Sequence, residues 1–360
     1  MAQIPNSELI RCAEITANRQ RQREIKRLAE AYGQERRSVQ RYVNQRRAAL
    51  RELLDAGVVV RKQPHHDREP LFEEQWRTYE RFIGRDHNRP LPEPPPPTNT
   101  GRRVVCVLAD THGHPLPQVV EAVLDDAPDV IAVAGDVLDC FAFSRWQKDR
   151  LEPIELELAR VTAMVEAMAA TTPRVLLLAG NHDKRRERYF MEKVDPWAMG
   201  ELKDPPLKLL AECYQNVEYT ETVHDYHTPT GLTLPAQFEQ SFFAALGDLV
   251  VAHPEISRKH AGASARAFAE QFNAWCGALG VKAPRVIAVG HCHRWAVVPG
   301  MFGQTLVELG YSGMPSALQY SMDAAKLPPM PPEPGYLYVV QELDGDDWRC
   351  DLRTLRYVRV

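Results

Sequence analysis

The sequence predicts an α/β fold over residues 103–360, preceded by a small all-α domain. Three observations carry this reading. After residue 103, short apolar runs recur and end in Asp, Asn or His. Helical stretches lie between those runs, and a proline-rich stretch separates all of them from a wholly helical head.

In chain order, residues 7–17, 22–32 and 36–56 carry apolar residues at three-to-four spacing, with Gly33 and Gly57 where helices should stop. Residues 71–83, with Leu71, Phe72, Trp76, Tyr79 and Phe82, read as one more amphipathic helix. Residues 90–100 hold Pro90, Pro92 and the run Pro94 to Pro97, which favours an extended spacer and cannot continue a helix. The expected organisation is a basic helical domain at 1–60, a helical segment and linker at 61–102, and a main domain at 103–360. In the main domain, strands are expected at 104–109, 130–134, 175–179, 249–252 and 286–289. They run into Asp110, Gly135-Asp136, Gly180-Asn181, His253 and Gly290-His291. Helices are expected at 154–170 and 264–279, and consecutive strands at 305–311, 336–343 and 348–358. Residues 195–245 give weak signals and read as an insertion or cap.

Hydrophobic residues at 44% and charged residues at 26% are those of a globular protein with ample material for a core. The net charge of −4 hides an asymmetry. Residues 1–68 hold 15 Lys and Arg against 8 Asp and Glu, so a head of +7 precedes a body of −11. A basic head on an acidic body points to different partners for the two parts, and excess carboxylates suit a body that holds cations. The seven cysteines, at 12, 106, 140, 213, 276, 292 and 350, are odd in number and include no CxxC. That argues for reduced thiols and against a disulfide framework. The first residues lack the basic-then-apolar order of a signal peptide, and no apolar run approaches membrane-spanning length. A soluble cytoplasmic protein without a membrane partner is the expectation.

Five expected strands thus end in one or two metal-ligating side chains. Asp110 and His112 are two apart, a spacing that in an extended segment points both to one side. Asp136 and Asp139 follow the second strand, Asn181-His182-Asp183 the third, His253 the fourth, and His291 with His293 the fifth. In open α/β sheets, ligands gather beyond the carboxyl ends of the strands. Carboxylate oxygens, an amide oxygen and imidazoles suit Mn²⁺, Fe or Zn²⁺ better than Ca²⁺. Cys292 should point away from its neighbours, which disfavours a structural zinc knot. A single His or Asp at a strand end is usually an ordinary loop residue, and Asp139, Asp183 and His114 also admit that reading. Five coincidences at one rim do not.

The blocks Asp110-Thr111-His112, Gly135-Asp136-Val137-Leu138-Asp139, Gly180-Asn181-His182-Asp183, Ala252-His253 and Gly290-His291-Cys292-His293, in this order, resemble the calcineurin-like metallophosphoesterases. The resemblance spans most of 103–311 and none of the first ninety residues. It implies a four-layer α/β/β/α sandwich, two sheets flanked by helices, with a binuclear centre. One metal would be held by Asp110, His112, Asp136 and His293, the other by Asp136, Asn181, His253 and His291, with Asp136 bridging. The implied cofactors are two divalent ions, Mn²⁺ foremost, with Fe, Zn²⁺, Ni²⁺ or Mg²⁺ as alternatives. Two cations about 3.5–4 Å apart neutralise the phosphate oxygens that otherwise repel a nucleophile. His182 would face the scissile ester, stabilising phosphate or protonating the departing oxygen, with Asp183 orienting its ring. Arg185 and Arg186 read either as phosphate contacts or as solvated residues. Pro254 departs from the family, where Gly is common at that place. Phe143-Ser144-Arg145 and the segment Arg186 to Tyr189 look like members found in phages and bacteria, which adds a phage or prophage origin to the expectation.

The head carries a second resemblance. Leu28-Ala29, Tyr32-Gly33, Val39 and Tyr42 resemble the helix-turn-helix of DNA-binding proteins. Ala29 would let two helices approach, Gly33 would permit the turn, and Leu28, Tyr32, Val39 and Tyr42 would bury the seam. Gln34 departs from the pattern, since an apolar residue is usual there. A recognition helix starting in 35–44 would present Arg37, Ser38, Gln40, Arg41 and Asn44 to base edges, with Arg46 and Arg47 suited to phosphates.

The leading expectation is a metal-dependent phosphoesterase acting on a nucleic-acid phosphodiester or terminal phosphate. Two others stand beside it: a nucleotide or cyclic-nucleotide phosphodiesterase whose head serves assembly, and a DNA-binding regulator or scaffold with a vestigial metal domain. Against the last, no ligand position is lost. DNA or another nucleic acid, a phosphate-ester substrate and a second copy of the chain are the expected partners.

Overall fold

The structure, a computed structural model, describes residues 25–31, 39–40, 43–44, 59–61, 93–97, 100–144, 154–193, 204–220, 237–238, 241–315 and 333–360. The chain divides into two units, Met1–Val60 with Ser321–Pro331, and Arg61–Tyr320 with Pro332–Val360.

In the first unit, residues 25–31, 39–40 and 43–44 are helical. Ile25, Leu28, Ala29, Val39 and Val43 form one buried cluster, Leu28 and Ala29 three and four residues after Ile25, and Val43 four after Val39. The opposite sides carry charge and amide groups: Lys26 pairs with Glu30 at 3.7 Å, and Gln40 Nε2 donates to Asn44 Oδ1 at 2.9 Å. Tyr32, Gly33, Arg37, Ser38, Arg41, Tyr42, Arg46, Arg47 and the helix expected at 71–83 lie outside the described residues.

The second unit opens with β1 (Arg102–Leu108), α1 (Pro117–Asp125), β2 (Val130–Ala134), α2 (Ile154–Thr171), β3 (Arg174–Leu178), α3 (Arg185–Lys193), α4 (Pro206–Glu212) and β4 (Val217–Thr220). It continues with β5 (Gln237–Phe238), β6 (Ser241–Leu246), β7 (Leu249–His253), α5 (Ala263–Leu279), β8 (Val286–Val289), β9 (Ala296–Pro299), β10 (Thr305–Glu308), β11 (Gly335–Asp344) and β12 (Asp347–Arg359). One sheet contains, side by side, β12, β11, β1, β2, β3 and β4; the other runs β9, β10, β8, β7, β6, β5. Strands β1 to β4 are parallel, as are β10, β8 and β7.

Parallel strands are covered on both faces and so read as continuous apolar runs; every residue of β2 and β7 is buried. Period-two alternation sorts their side chains. Cys106, Leu108, Ile131, Val133, Val175 and Leu177 pack with Val120, Val123, Met164, Met168 and Leu207 of the covering helices. The alternate residues Val105, Val107, Ala132, Ala134, Leu176 and Leu178 are equally buried, on the side where β2 meets β7 and β3 meets β6. On the outer side of the second sheet, Phe268, Phe272 and Cys276 of α5 pack on Phe243, Val250, Ile287 and Val289. Helix, sheet, sheet and helix therefore form four layers.

Helix α5 shows how tertiary contacts complete a local element. Gly262 at its N-cap supplies no side-chain bond, and the carboxylate of Glu308 on β10 accepts the Ser264 and Ala265 N–H groups at 2.9 and 3.4 Å instead. A negative charge there also opposes the positive end of the helix dipole. The helix ends at Gly280 in the left-handed region, with Val281 N–H donating to the Cys276 carbonyl at 2.9 Å.

Within 195–245, expected as an insertion or cap, α4 and β4 belong to the first sheet and its helix layer, and β6 belongs to the second sheet. Strand β4 is four residues long with only its ends buried, too short to give a periodic signal. No helix among the described residues is long and apolar enough to cross a membrane.

Candidate metal centre

Asp110, His112, Asp136, Asn181, His253, His291 and His293 meet at the carboxyl ends of β1, β2, β3, β7 and β8. The two-residue spacings predict strand alternation, and here the structure differs. Asp110 (φ 56°), His112 (48°), Asp136 (47°), His291 (75°) and His293 (53°) all lie beyond their strands in the left-handed region. The loops are zipped together in that conformation: Asp110 N–H donates to the Gly135 carbonyl at 3.2 Å, and His112 N–H to that of Asp136 at 2.8 Å. Such backbone costs about 1–3 kcal/mol per non-glycine residue and persists where surroundings impose it, most often at functional sites.

Two glycines make the approach feasible. A Cβ on Gly180 would lie 2.1 Å from Asp136 N, and one on Gly135 (φ 75°) would lie 2.4 Å from His253 Cγ. Only a residue without a side chain lets these loops pass so close to the ligands they carry.

Three overlapping triads have donor atoms within 4.8 Å of one another: Asp110, His112 and His293; His112, Asp136 and His182; Asp136, His253 and His291. His112 Nε2 and His293 Nε2 face each other at 3.0 Å, with Asp110 Oδ1 at 3.9 and 3.5 Å respectively. In the third triad, His253 Nε2 is 3.2 Å from Asp136 Oδ2 and 3.1 Å from Asn181 Oδ1. Donor atoms about 2.0–2.2 Å from a shared cation stand roughly 3 Å or a little more apart.

The donor set fits divalent cations on two further counts. Asp136 Oδ2 is buried and accepts no hydrogen bond, although ring nitrogens of His253, His112 and His182 lie 3.2, 3.8 and 3.8 Å away. His253 Nδ1 is 2.8 Å from the Ala134 carbonyl oxygen. The Nδ1 proton is held there, which aims Nε2 into the cluster, the orientation that metal-binding histidines adopt.

The electrostatics favour positive charge. Burial raises the Asp136 carboxyl, but the charges of His182 and His253 outweigh it and hold that group well below the usual carboxylate range. Burial lowers His253, yet Asp136 and Asp110 lift it to about 10. Burial together with the charge on His253 pushes His291 down to about 3.

The surroundings of His182 correct one expectation. Its Nδ1 is 2.7 Å from Asp139 Oδ1, and its Nε2 accepts from Arg185 Nη2 at 2.8 Å. Arg185 Nη1 also donates to Asp139 Oδ1 at 2.7 Å. Asp183, expected to orient the ring, instead accepts backbone N–H groups of Leu138, Gly180 and Val137 at 2.7, 2.8 and 3.2 Å. It latches the second and third loops together, and Asp139 orients the ring.

Three residues with no signal in the sequence support the site. Glu157, buried on α2, accepts the N–H groups of Asp139, Cys140 and Phe141 at 3.1, 2.7 and 3.2 Å. Arg294, next to His293, pairs with buried Glu308 at 2.7 Å and donates to the carbonyls of Arg258, Lys259 and His260. Tyr311 is fully buried beside His293 and His112, at ring distances of 5.3 and 6.0 Å. Cys292 Sγ points to the Ile256 carbonyl, and burial pushes its thiol up to about 12. His114 meets Arg160 Nη1 at 3.2 Å. Of the expected nucleic-acid contacts, Gln40 and Asn44 are described, both in the first unit.

Residues 103–295 match the calcineurin-like phosphoesterase family. The chain belongs to that family. Among solved structures it is similar to wild-type Vps29 complexed with zinc from Entamoeba histolytica, at 12% identity and TM-score 0.31, covering 71% of this chain and 98% of that one. Vacuolar protein sorting 29 from Cryptosporidium parvum is similar at 13% identity and TM-score 0.31, over 72% and 99% of the two chains. A metallophosphoesterase from Sphaerobacter thermophilus is similar at 18% identity and TM-score 0.32, over 71% and 88%. No match was found among the curated proteins.

Proposed function

We propose that this chain hydrolyses a phosphate ester of nucleic acid at a centre of two divalent cations that share Asp136. The observation that carries the reading is Asp136 Oδ2, a buried carboxylate oxygen that accepts no hydrogen bond among converging imidazoles. A buried anion of this kind is costly unless positive charge completes it. Asp110, His112, Asp136 and His293 would hold one ion, and Asp136, Asn181, His253 and His291 the other. When bound, the ions neutralise phosphate oxygens and make hydroxide available at neutral pH. The side chains of the protein supply the proton handling. The His182 ring, held by Asp139 at Nδ1, accepts from Arg185 at Nε2 in this structure; turned from Arg185 to the ester, Nε2 would take up a proton and pass it to the departing oxygen.

The nucleic-acid part of the reading is supported by the basic head. Its buried cluster of Ile25, Leu28, Ala29, Val39 and Val43 leaves Asn44 exposed and Gln40 half-exposed, and such amides can pair with adenine edges. Arg37, Ser38 and Arg41 would join them, with Arg46 and Arg47 on phosphates. The free thiols of Cys106, Cys140, Cys213, Cys276, Cys292 and Cys350 agree with a reducing, cytoplasmic setting.

The test is metal-stripped protein reloaded with Mn²⁺, Fe²⁺, Zn²⁺, Ni²⁺ or Mg²⁺ and assayed on single- and double-stranded DNA, RNA, cyclic nucleotides and an aryl phosphate. Mn²⁺-dependent turnover of nucleic acid, weakening steeply with salt and less steeply in Arg46→Ala, is the expected result. Turnover confined to cyclic nucleotides would replace the substrate assignment. DNA binding by the full chain with no turnover under any metal would replace the enzyme.

A further inference from the structure

Helix α3 begins three residues after His182 and carries a feature that the hydrolytic chemistry does not use. Its first residue, Arg185, reaches Asp139 and His182. One turn on, at the i+4 position that shares a helix face, Tyr189 is 42% exposed. Its ring lies 5.5 Å from Phe143 and 6.0 Å from Phe190, and those two rings are 5.7 Å apart. The three rings close a triangle in which Tyr189 is the most exposed member. Phe143 ends the short turn Phe141–Phe143, whose start Glu157 ties to the Asp139 loop. The rings therefore hang from the two segments that place Asp139, His182 and Arg185. The Arg186 guanidinium carbon sits 5.1 Å from the Phe190 ring centre, which adds a cation to the same patch.

A tyrosine braced by two phenylalanines presents a rigid face at little entropic cost. Exposed rings beside basic side chains are the surfaces on which unpaired bases stack. We propose that Tyr189, backed by Phe143 and Phe190, is the platform for the nucleobase adjoining the scissile phosphate. This rests on reading the metal centre as a nucleic-acid phosphoesterase.

Two phosphodiesters that release the same p-nitrophenolate test it on the Mn²⁺-loaded full chain: the thymidine 5′-ester and the methyl ester. Tyr189→Leu should raise KM for the thymidine ester about tenfold with kcat little changed and leave the methyl ester unaffected, while Tyr189→Phe should behave as wild type. Calorimetry supplies a readout without turnover: Tyr189→Leu should weaken thymidine 5′-monophosphate about tenfold and leave inorganic phosphate unchanged. Equal nucleotide affinity in Tyr189→Leu and wild type, or equal losses on both esters or both ligands, would overturn the platform. Wild type that turns over neither ester with any metal would overturn the hydrolase reading; unchanged nucleotide binding in Tyr189→Leu would then remove the platform separately.

Discussion

His182 Nδ1 meets Asp139 Oδ1 at 2.7 Å, while Asp183, its neighbour in sequence, spends its carboxylate on three backbone N–H groups. The two acids thus divide the work: one holds the His182 ring and the other holds two loops together. Asp139→Asn is accordingly expected to lower kcat about 10²- to 10⁴-fold with KM and bound metal near wild type. Steady-state kinetics beside elemental analysis check it, and a wild-type kcat would remove His182 from the proton path.

Asp183→Asn should behave differently. Replacing one of the carboxyl oxygens that accept the Val137, Leu138 and Gly180 N–H groups by an amide NH₂ leaves a buried donor unsatisfied and is expected to cost about 1–3 kcal/mol of folding stability. Denaturant unfolding of the metal-free protein measures it. A stability loss no larger than that of Asp139→Asn would show that the latch is unimportant.

Gly180→Ala probes the close approach of the loops. A Cβ there would meet Asp136 N at 2.1 Å and Oδ1 at 2.3 Å, and backbone cannot yield as a flexible side chain can. Metal affinity is expected to fall at least about 10- to 100-fold, the usual effect of disturbing a ligand's support. Competition with a chelating dye reports it; unchanged affinity would mean that the Asp136 loop shifts freely.

The buried pair of Arg294 and Glu308 links the His293 loop to the start of α5. Glu308→Gln leaves the guanidinium without its counter-charge, which costs about 3–5 kcal/mol in a buried site. A fall in Tm of the metal-free protein is the measurement, and an unchanged Tm would place the pair among the energetically neutral ones.

The main architecture was legible because parallel strands demand continuous apolar runs, and the residue that ends each run is free to carry chemistry. Val130 to Ala134 followed by Gly135-Asp136 is the plainest case. Other features left no trace in one dimension. The two-residue spacing of Asp110 and His112 is the same whether the backbone is extended or left-handed, so the strained turn was hidden. Glu308 and Arg294 lie on different elements, and only the fold reveals that one carboxylate both caps α5 and pairs with the guanidinium. Asp139 and Asp183 could not be told apart because their difference lies in which donors the loops bring within reach. Strand β4 was missed because four residues with two buried ends do not establish a period.

Metal stoichiometry directly tests the proposal that two ions share Asp136. Elemental analysis of wild type and Asp136→Asn, each dialysed against Mn²⁺ and desalted, should give two ions per wild-type chain. The variant should hold one at most, with turnover abolished and the Tm lowered towards that of the chelated protein. Two tightly held ions in Asp136→Asn, or fewer than two in wild type under every metal offered, would contradict a shared carboxylate at the heart of the site.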